Sequence, residues 1–538
     1  MWKQSENIVH RLFSRQINRA PPNTHIHKTR QLYENIVPSF TVYDVECPEQ
    51  LWRCFTNDGQ YLICFSRSLH DVLIYRPCWL SYCPAPDSVD ELPIKAKKFE
   101  SYFTLLHQIP LVSGQTELLC KDFFLATENN VYGIFAASTI QDTNPAAAIG
   151  AVPTVPSVEK TTFFLVRLAD GVVTDQRVFH DDYIHLAHNA GVFLHDDLLA
   201  VLSVRFQCIH ILQVRDGGLF LDVRTIGNFC REDDELLLNS QSQVFALHCS
   251  RLCNHNGAVA PVREEVLTEG RQILGGLKQR LLSFIMQGIQ DENVSPGVRA
   301  RLLQRFYYHF QHYVDLVMWK VQFLDRHHLL IKFGSLDGLL QQRNTDTSQQ
   351  TSFLAVYNLE TTKMLAFYQN SAEEMLQLVE HYYDYFRMAL PIPTYMNFIS
   401  SYGNNIFSQE QLRKQKTTCV TSRSYQFSQV IRRTLSLLPF NCQSQSPSAY
   451  FDQYLFHYDE KFISAIDRHK PCMEHPIKFI SRRRPNTLKF KINPGLELGA
   501  NDAIRRVASF LFHPVFPFVI SVQQSFLQAT VVNFHFRP

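Results

Sequence analysis

The sequence has almost no net charge and no long apolar run. Its 52 lysines and arginines nearly balance its 50 aspartates and glutamates, which leaves a formal net charge of +2. A general polyanion binder would carry a strong basic excess, so the composition argues against that class of protein. No stretch approaches the roughly 18 apolar residues that a membrane-spanning helix needs, and the first residues are polar and charged, unlike a secretory signal. We therefore expect a soluble chain that does not enter a membrane.

The cysteines form no paired framework. There are 13 of them, an odd number, and they are scattered along the chain. Such usage indicates free thiols in a reducing compartment rather than disulfides. The sequence thus predicts a cytosolic or nuclear protein.

Strong catalytic motifs are also missing. The chain contains no GxSxG elbow, no HExxH, no GxxxxGK[ST] and no GxGxxG. Cys249 and Cys253 lie in HCSRLCNH, which has metal-binding residue types in a loose spacing, and a loop with incidental thiols is the simpler interpretation. The acidic run at 231–235 fits no calcium loop. We expect no cofactor, no metal and no enzyme activity. The alternative is an enzyme built on a β-propeller, which stoichiometric bound zinc would favour.

What the sequence does contain is a repeating β pattern. From about residue 40 apolar residues recur at every second position, as in a β-strand. Asn57-Asp58-Gly59 predicts a tight turn before strands at 61–65 and 72–75. This strand–turn–strand unit is typical of one blade of a WD-like propeller, and looser copies follow along the chain. We predict a mainly β fold, a degenerate WD-like β-propeller of about seven blades over residues 23–538.

Helical patterns interrupt the strands. Helices are predicted at 275–289, 301–316, about 371–387 and 427–438, and the first two belong to a flexible and helical insertion at about 240–316. Ser371 and Glu374 have the spacing of a capping box. These helices are expected to pack on the propeller, with partner docking by one of them as the alternative.

One further helix precedes the propeller. ENIVHRLFSRQI, at 6–17, places apolar residues at 9, 12, 13 and 17 on one helical face, and Pro21 and Pro22 prevent its continuation. Residues 1–22 therefore form an amphipathic segment with no obvious core of its own to cover.

A basic run stands near the C-terminal end. Arg482, Arg483 and Arg484 lie between two predicted strands in KFISRRRPNTLKFK. The run is either a contact patch for an acidic partner, a short nuclear-import signal, or simply a charged hairpin turn.

Long stretches of the chain resemble the De-etiolated-1 family, in particular its plant members. The resemblance spans nearly the whole chain, apart from about 240–270 and 340–350. The matching stretches include LYENIVPSFTVYDVE (32–46), FTNDGQYLICFSRS (55–68), DVRTIGNFCREDDELLLNS (222–240), WKVQFLDRHHLLIKFGSLDG (319–338), CQSQSPSAYFDQYLF (442–456) and FLFHPVFPFVISVQ (510–523).

The resemblance implies a nuclear, non-catalytic scaffold or substrate-receptor subunit of a cullin-4 RING ubiquitin ligase. Its implied partners are the damaged-DNA-binding protein 1 adaptor, a small DDA-type subunit, a ubiquitin-conjugating enzyme or its inactive variant, and the constitutive-photomorphogenesis RING ligase. The implied outcome is ubiquitin-dependent degradation and repression of photomorphogenesis. A chromatin or histone-binding transcriptional co-repressor propeller is the alternative, with histones as a further partner.

The family also suggests a task for the opening helix, because substrate receptors of this ligase class commonly present a short N-terminal helix to the adaptor. By this resemblance Ile8, Val9, Leu12 and Phe13 are buried anchors, while Arg11 and Arg15 make polar contacts. The alternative is that the helix folds back on its own propeller.

Overall fold

A computed structural model describes residues 38–78, 97–142, 151–230, 276–341, 350–386, 424–458, 476–492 and 507–536, apart from single residues and short stretches within these ranges. The predicted helix at 6–17 lies outside the described residues, as do HCSRLCNH and the acidic run at 231–235. The described chain is mainly β and forms six separate antiparallel sheets. None of its helices is long and apolar enough to cross a membrane.

Five of the sheets are each built from strands that follow one another in the chain. We number them first to fifth in chain order. The first contains β2 (Gln50–Phe55), β3 (Leu62–Ser66), β4 (Asp71–Pro77) and β5 (Phe103–Pro110). The second contains β6 (Glu117–Leu119), β7 (Leu125–Ala126), β8 (Tyr132–Thr139), β9 (Gln141–Asp142), β10 (Ser157–Arg167) and β11 (Val172–Asp182). The third contains β12 (Val192–His195), β13 (Leu198–Ser203), β14 (Cys208–Arg215) and β15 (Leu219–Ile226). The fourth contains β16 (Val317–Phe323), β17 (His328–Gly334), β18 (Ser352–Asn358) and β19 (Met364–Gln369). The fifth contains β20 (Phe456–Tyr458), β21 (Ile477–Ser481) and β22 (Lys489–Ile492).

The sixth sheet, the terminal sheet, joins the two ends of the described chain. It combines β23 (Val507–Phe512), β24 (Val519–Gln524) and β25 (Val531–Phe536) with β1 (Phe40–Val42). Strand β1 runs antiparallel to β25, with Phe40 opposite Phe536. The first and last described strands are therefore neighbours.

The turn predicted at 57–59 is present between β2 and β3. The Thr56 hydroxyl donates to the Asp58 carboxylate at 2.6 Å, and Gly59 has a φ of 71°, a left-handed conformation that glycine adopts without strain. The same device recurs before β8, where the Thr127 hydroxyl donates to the Asn129 side chain at 2.7 Å. A Thr-x-Asp or Thr-x-Asn tripeptide thus starts a hairpin in two different sheets.

Consecutive sheets share apolar cores, and aromatic pairs mark their contacts. The fifth sheet meets the terminal sheet through Phe479 and Phe512, and the terminal sheet meets the first through Phe534 and Phe103. The first and second sheets share another cluster, and one large cluster runs through the second, third and fourth. Sheets that are neighbours in the chain therefore pack together from the fifth through the terminal sheet to the first, and from the first to the fourth. This arrangement confirms the predicted mainly β, WD-like fold.

A polar network lies inside the terminal sheet. His535, Ser521 and Asn533 are almost completely buried there. The Ser521 hydroxyl lies 3.0 Å from Nε2 of His535, and Asn533 Nδ2 donates to the same hydroxyl at 3.3 Å. The side-chain oxygen of Asn533 accepts from the backbone N–H of Asp44 at 2.9 Å. Since buried polar groups must be paired, this network holds the chain's two ends in one register.

Six α-helices are described, and all but the fourth lie close to predicted positions. They are α1 (Gly276–Gln290), α2 (Pro296–Tyr308), α3 (Phe310–Val314), α4 (Leu336–Gln341), α5 (Glu373–His381) and α6 (Ser424–Ser436). The helix predicted at 301–316 instead begins at Pro296 and breaks at His309. The predicted capping box is wrong, because Ala372 is the N-cap residue of α5 and makes no side-chain cap bond.

Helices α5 and α6 cover the fourth sheet. Leu376 of α5 and Leu435 of α6 are fully buried in one cluster with Leu330 and Leu354 of the sheet. Beneath α6, Nζ of the buried Lys332 donates to the carbonyl of Ser436 at 3.1 Å. A cation at a helix C-terminus interacts favourably with the negative end of the helix dipole. The expectation that helices pack on the β core is confirmed for these two.

Candidate interaction surfaces

Helices α1 and α2 form a hairpin with a small core of its own. Leu282 and Ile289 of α1 pack with Phe306 of α2 and with the half-buried Leu302 and Leu303. In α2 these apolar residues fall on one side of the helix. The opposite side of α2 therefore faces outward.

The outward side of α2 carries a narrow stripe. Positions 298, 301, 305 and 308 are spaced by three, four and three residues, which puts them on one helical face over about 15 Å. They hold Val298, Arg301, Arg305 and Tyr308, all exposed, with the Tyr308 side chain 80% exposed. We call these four residues the α2 stripe.

Helices α1 and α2 carry only basic charged residues. Residues 276–290 and 295–314 contain no aspartate or glutamate, while they carry Lys278, Arg280, Arg299, Arg301 and Arg305. Asp291 and Glu292 stand in the intervening 291–294, which lies outside the described residues. Among the residues that the structure describes, neither Arg301 nor Arg305 makes an ion pair. The positive charge of these two guanidiniums is therefore not neutralised by the described chain.

Lys278 of α1 helps to anchor the hairpin. Nζ of Lys278 donates to the carbonyl of Val314 at 2.9 Å, and burial lowers the pKa of this lysine. At the start of α1, the backbone N–H of Leu277 donates to the carbonyl of Gly227 at 2.8 Å. The ring of Tyr313 packs against Phe353 of the fourth sheet. The α2 stripe is thus displayed on a hairpin that is tied to two sheets.

The basic run at 482–484 lies in the hairpin turn between β21 and β22. Arg482 and Arg484 are exposed, and the backbone N–H of Arg484 donates to the Ser481 hydroxyl at 3.2 Å. Arg483 lies outside the described residues. The predicted hairpin geometry is confirmed, whereas a partner for the arginines stays a prediction.

An apolar row occupies the end strand of the third sheet. Leu219, Leu221 and Val223 alternate along β15 and are each between 41% and 54% exposed. On the neighbouring second sheet, Arg177 pairs with Asp222 of this strand at 2.8 Å. The row is a surface feature with no described element covering it.

One serine–histidine pair and one cysteine–histidine pair have the side-chain types of a nucleophile and its base. Ser521 and His535 have the spacing of a nucleophile and its base, but both are almost completely buried, so no substrate reaches them. Cys208 Sγ lies 3.3 Å from Nε2 of His210. Burial raises the pKa of Cys208 to about 11 and lowers the pKa of His210, so the pair is neutral near pH 7 rather than a reactive thiolate. Both pairs are structural.

Metal-ligating side chains do not cluster in the part of the chain that the structure describes. Within it, no three histidine, cysteine, aspartate or glutamate side chains come together as a metal ion would require. Cys249 and Cys253 lie outside these residues.

Residues 121–538 match the family model described as De-etiolated protein 1, Det1. The chain belongs to the Det1 family. Two plant relatives, both named "Light-mediated development protein DET1", match it over 99% of this chain and 99% of their own. The protein from Solanum lycopersicum is 53% identical over 539 residues, and that from Arabidopsis thaliana is 50% identical over 552. The Det1 resemblance noted in the sequence is therefore confirmed.

Among solved structures, the WD40 domain of Toxoplasma gondii coronin is similar to this chain at 7% identity. The alignment covers 94% of this chain and 87% of that one, with a TM-score of 0.21. A score this low adds nothing to the fold seen in the sheets themselves.

The predicted contact residues and the α2 stripe lie in different parts of the chain. Ile8, Val9, Arg11, Leu12, Phe13 and Arg15 all precede the described residues, and Arg482 and Arg484 lie on the fifth sheet. Sequence reasoning placed a helix over 301–316 but did not single out the stripe. Its signal was available, since Arg301, Arg305 and Tyr308 repeat at helical spacing on a face beside Leu302 and Phe306.

Proposed function

We propose that this Det1-family chain is a non-catalytic scaffold or substrate-receptor subunit of a nuclear cullin-4 RING ubiquitin ligase that represses light-responsive development. The observation that carries the proposal is full-length similarity to two plant proteins named for light-mediated development. The ligase role itself rests on the family resemblance. In this role the chain promotes ubiquitin-dependent degradation of proteins that it helps to recruit.

The described architecture supports a binding role. Six antiparallel sheets with shared apolar cores form a β platform, and the hairpin of α1 and α2 is displayed on its surface. The Ser521–His535 and Cys208–His210 pairs are neutral or buried. A scaffold needs docking surfaces on a stable support, and a surface hairpin on packed sheets meets that need.

The proposed partners act at different places. The N-terminal segment docks on the damaged-DNA-binding protein 1 adaptor, with Leu12 and Phe13 as central anchors. The propeller then associates with a DDA-type small subunit, a ubiquitin-conjugating enzyme or its inactive variant, and the constitutive-photomorphogenesis RING ligase. Burying one leucine or phenylalanine contributes about 1.5–3 kcal/mol, so two anchors are enough to dominate docking.

Co-purification of the full chain with the adaptor tests the proposal. Leu12→Asp with Phe13→Asp puts two charges on the apolar face predicted for 6–17, and we expect adaptor binding to be lost. Ser14→Asp with Asn18→Asp adds the same charge to the opposite face and should leave binding intact. Full adaptor binding by a folded Leu12→Asp, Phe13→Asp chain would contradict the docking role of the helix.

Histones remain the second proposed class of partner. Nothing in the described residues favours them at the α2 stripe, because basic histone tails have the same charge sign as Arg301 and Arg305. A chromatin role would have to use another surface.

A further inference from the structure

Among the described residues, the α2 stripe makes no ion pair, and none of its four side chains is buried. Val298, Arg301, Arg305 and Tyr308 lie on an exposed face of α2, beside the core that Leu302 and Phe306 form with α1. Tyr308 is 80% exposed, and its neighbour Tyr307 is 66% exposed. Exposed tyrosines beside arginines are unusual on a surface that only meets water, and these two residue types dominate the binding energy of protein interfaces.

We infer that the α2 stripe docks an acidic segment of a partner protein. This inference extends the proposed scaffold role and rests on its premise that the chain works by binding proteins. The charge of the two helices sets the charge of the partner, because α1 and α2 carry five basic side chains and no acidic one, with Asp291 and Glu292 between them and Asp315 after the hairpin. Arg301 and Arg305 have no carboxylate partner among the described residues, and each offers the planar fork that binds a carboxylate bidentately.

The spacing of the stripe fits a protein segment. Arg301 and Arg305 are one helical turn apart, about 6 Å along the axis, which matches carboxylates four residues apart on a second helix. Tyr308 and Val298 at the two ends supply apolar contacts that would shield these ion pairs from water. The partner we commit to is therefore an amphipathic helix with glutamates or aspartates at i and i+4.

Nucleic acid fits less well. A stripe with two available guanidiniums would neutralise about two phosphates and release about two counterions, which gives weak and strongly salt-dependent binding. The chain's net charge of +2 provides little additional attraction. The exposed side chains at the ends of the stripe include one aliphatic group, Val298, which has no partner in a phosphate backbone.

The hairpin is also well suited to binding because it is already ordered. The bonds from Leu277 to Gly227 and from Lys278 to Val314 fix α1, and Phe306 fixes α2 against it. A preformed surface loses little conformational entropy when a partner docks.

The test is fluorescence anisotropy with the full-length chain and a labelled synthetic helical peptide. The peptide carries glutamate pairs four residues apart beside a leucine row, and a matched peptide has glutamine in place of glutamate. We expect the glutamate peptide to bind at least about tenfold more tightly than the glutamine peptide, a difference of about 1.4 kcal/mol. Arg301→Glu with Arg305→Glu should weaken binding by at least about tenfold, and Tyr308→Ala should weaken it severalfold while Tyr308→Phe does not.

Arg432→Glu with Arg433→Glu is the matched control, because it makes the same charge change at two exposed arginines of another helix, α6. This control should bind the glutamate peptide as the wild type does. The inference is overturned if both double variants lose binding equally, since the effect would then be one of net charge. It is also overturned if the wild-type chain fails to bind the glutamate peptide at about 100 μM, or if it binds a duplex DNA oligonucleotide more tightly.

Adaptor co-purification on the same variants separates this inference from the proposed function. Arg301→Glu with Arg305→Glu should leave adaptor binding unchanged, because the predicted docking anchors are at Leu12 and Phe13. If the wild-type chain binds the adaptor but not the peptide, only the inference about the stripe fails. If the wild-type chain does not bind the adaptor, the proposed ligase role fails.

Discussion

Thr41 and His535 are 494 positions apart in the chain, yet the Thr41 hydroxyl lies 3.0 Å from Nδ1 of His535. The other ring nitrogen lies 3.0 Å from the Ser521 hydroxyl. The imidazole is thus held between two strands that flank β25, one from each end of the described chain. Because His535 is almost completely buried, each of its nitrogens depends on these partners.

Removing the Thr41 hydroxyl should weaken the whole terminal sheet. Thr41→Val keeps the side-chain volume but leaves a buried ring nitrogen unpaired, which costs about 1–3 kcal/mol of the free energy of unfolding. Thr361→Val, at an exposed position, is the control and should change stability by less than about 0.5 kcal/mol. Urea denaturation of the purified chain measures both. Equal stability of the two variants would contradict a structural role for the Thr41 hydroxyl.

Acidification should destabilise the fold through two buried histidines. Burial lowers the pKa of His535 to about 4 and that of His513 to about 3, from an ordinary 6.5. The unfolded chain therefore binds more protons than the folded chain below pH 6.5, and stability falls as the pH falls. At pH 5 each histidine costs about 2 kcal/mol, and above pH 7 neither has an effect.

Thermal denaturation between pH 7.5 and pH 5 tests the effect of the two histidines. The quantity compared is the slope of melting temperature against pH, and not the melting temperature itself. His513→Gln with His535→Gln removes both titrating groups, so the loss of stability on acidification should become shallower. His180→Gln, at an exposed site, should keep the wild-type slope. Parallel curves for all three proteins would show that other groups cause the acid sensitivity.

Gly59 and His513 should be energetically coupled. Nε2–H of His513 donates to the carbonyl of Gly59 at 2.9 Å, because Nδ1 accepts from the backbone N–H of Phe516. A Cβ atom on Gly59 would lie 2.4 Å from the ring, and the φ of 71° adds about 1–2 kcal/mol of backbone strain for alanine. We expect Gly59→Ala to cost more than about 3 kcal/mol in the wild-type background.

A double-mutant cycle isolates the steric part of that cost. In a His513→Ala background the clash is absent, so Gly59→Ala should cost only the backbone strain of about 1–2 kcal/mol. Additive effects in the cycle would show that the ring does not limit the size of residue 59.

Lys332 should be replaceable by an apolar residue but not by arginine. Burial, with a smaller contribution from Lys320, lowers its pKa to about 7, and its ammonium sits by Trp319 with the Ser436 carbonyl as acceptor. Lys332→Met removes the cost of burying that charge and should raise the free energy of unfolding by about 1–3 kcal/mol at pH 7. Lys332→Arg, which stays charged, should lower it by about 3 kcal/mol or more.

The cost of burying the Lys332 charge depends on pH. The folded chain releases this proton more readily than the unfolded chain, so the penalty is full at pH 7 and below and fades as the pH approaches 10.5. The gain from Lys332→Met over wild type should shrink accordingly between pH 7 and pH 10 in chemical denaturation. The exposed Lys478→Met serves as the control and should show no such trend.

Local patterns in the sequence predicted local structure well. The Asn57-Asp58-Gly59 turn, the strands beside it and the hairpin around Arg482 follow from short-range spacing, because a turn and its two strands determine each other. The capping box at Ser371 and Glu374 failed because the chain enters α5 one residue later, at Ala372. The break at His309 gave no breaker signal, since neither glycine nor proline stands there.

Local sequence patterns did not predict contacts between residues far apart in the chain. Nothing near Thr41 points to His535, and nothing in FLFHPVF indicates that His513 closes over Gly59, since these contacts depend on how whole sheets pack. The α2 stripe was predictable only in part. Its helical spacing is visible in the sequence, but which face turns outward is decided by α1, which covers Leu302 and Phe306.

The pairing of β1 with β25 sets the order in which the protein is completed during synthesis. Strand β1 leaves the ribosome early but has no described partner except a strand that ends two residues before the C-terminus. The five other sheets hold all their strands before residue 493 and can form while translation continues. A stop codon early in β25 would therefore damage the terminal sheet at both ends of the described chain, leaving Phe40 and Val42 without the strand that pairs with them.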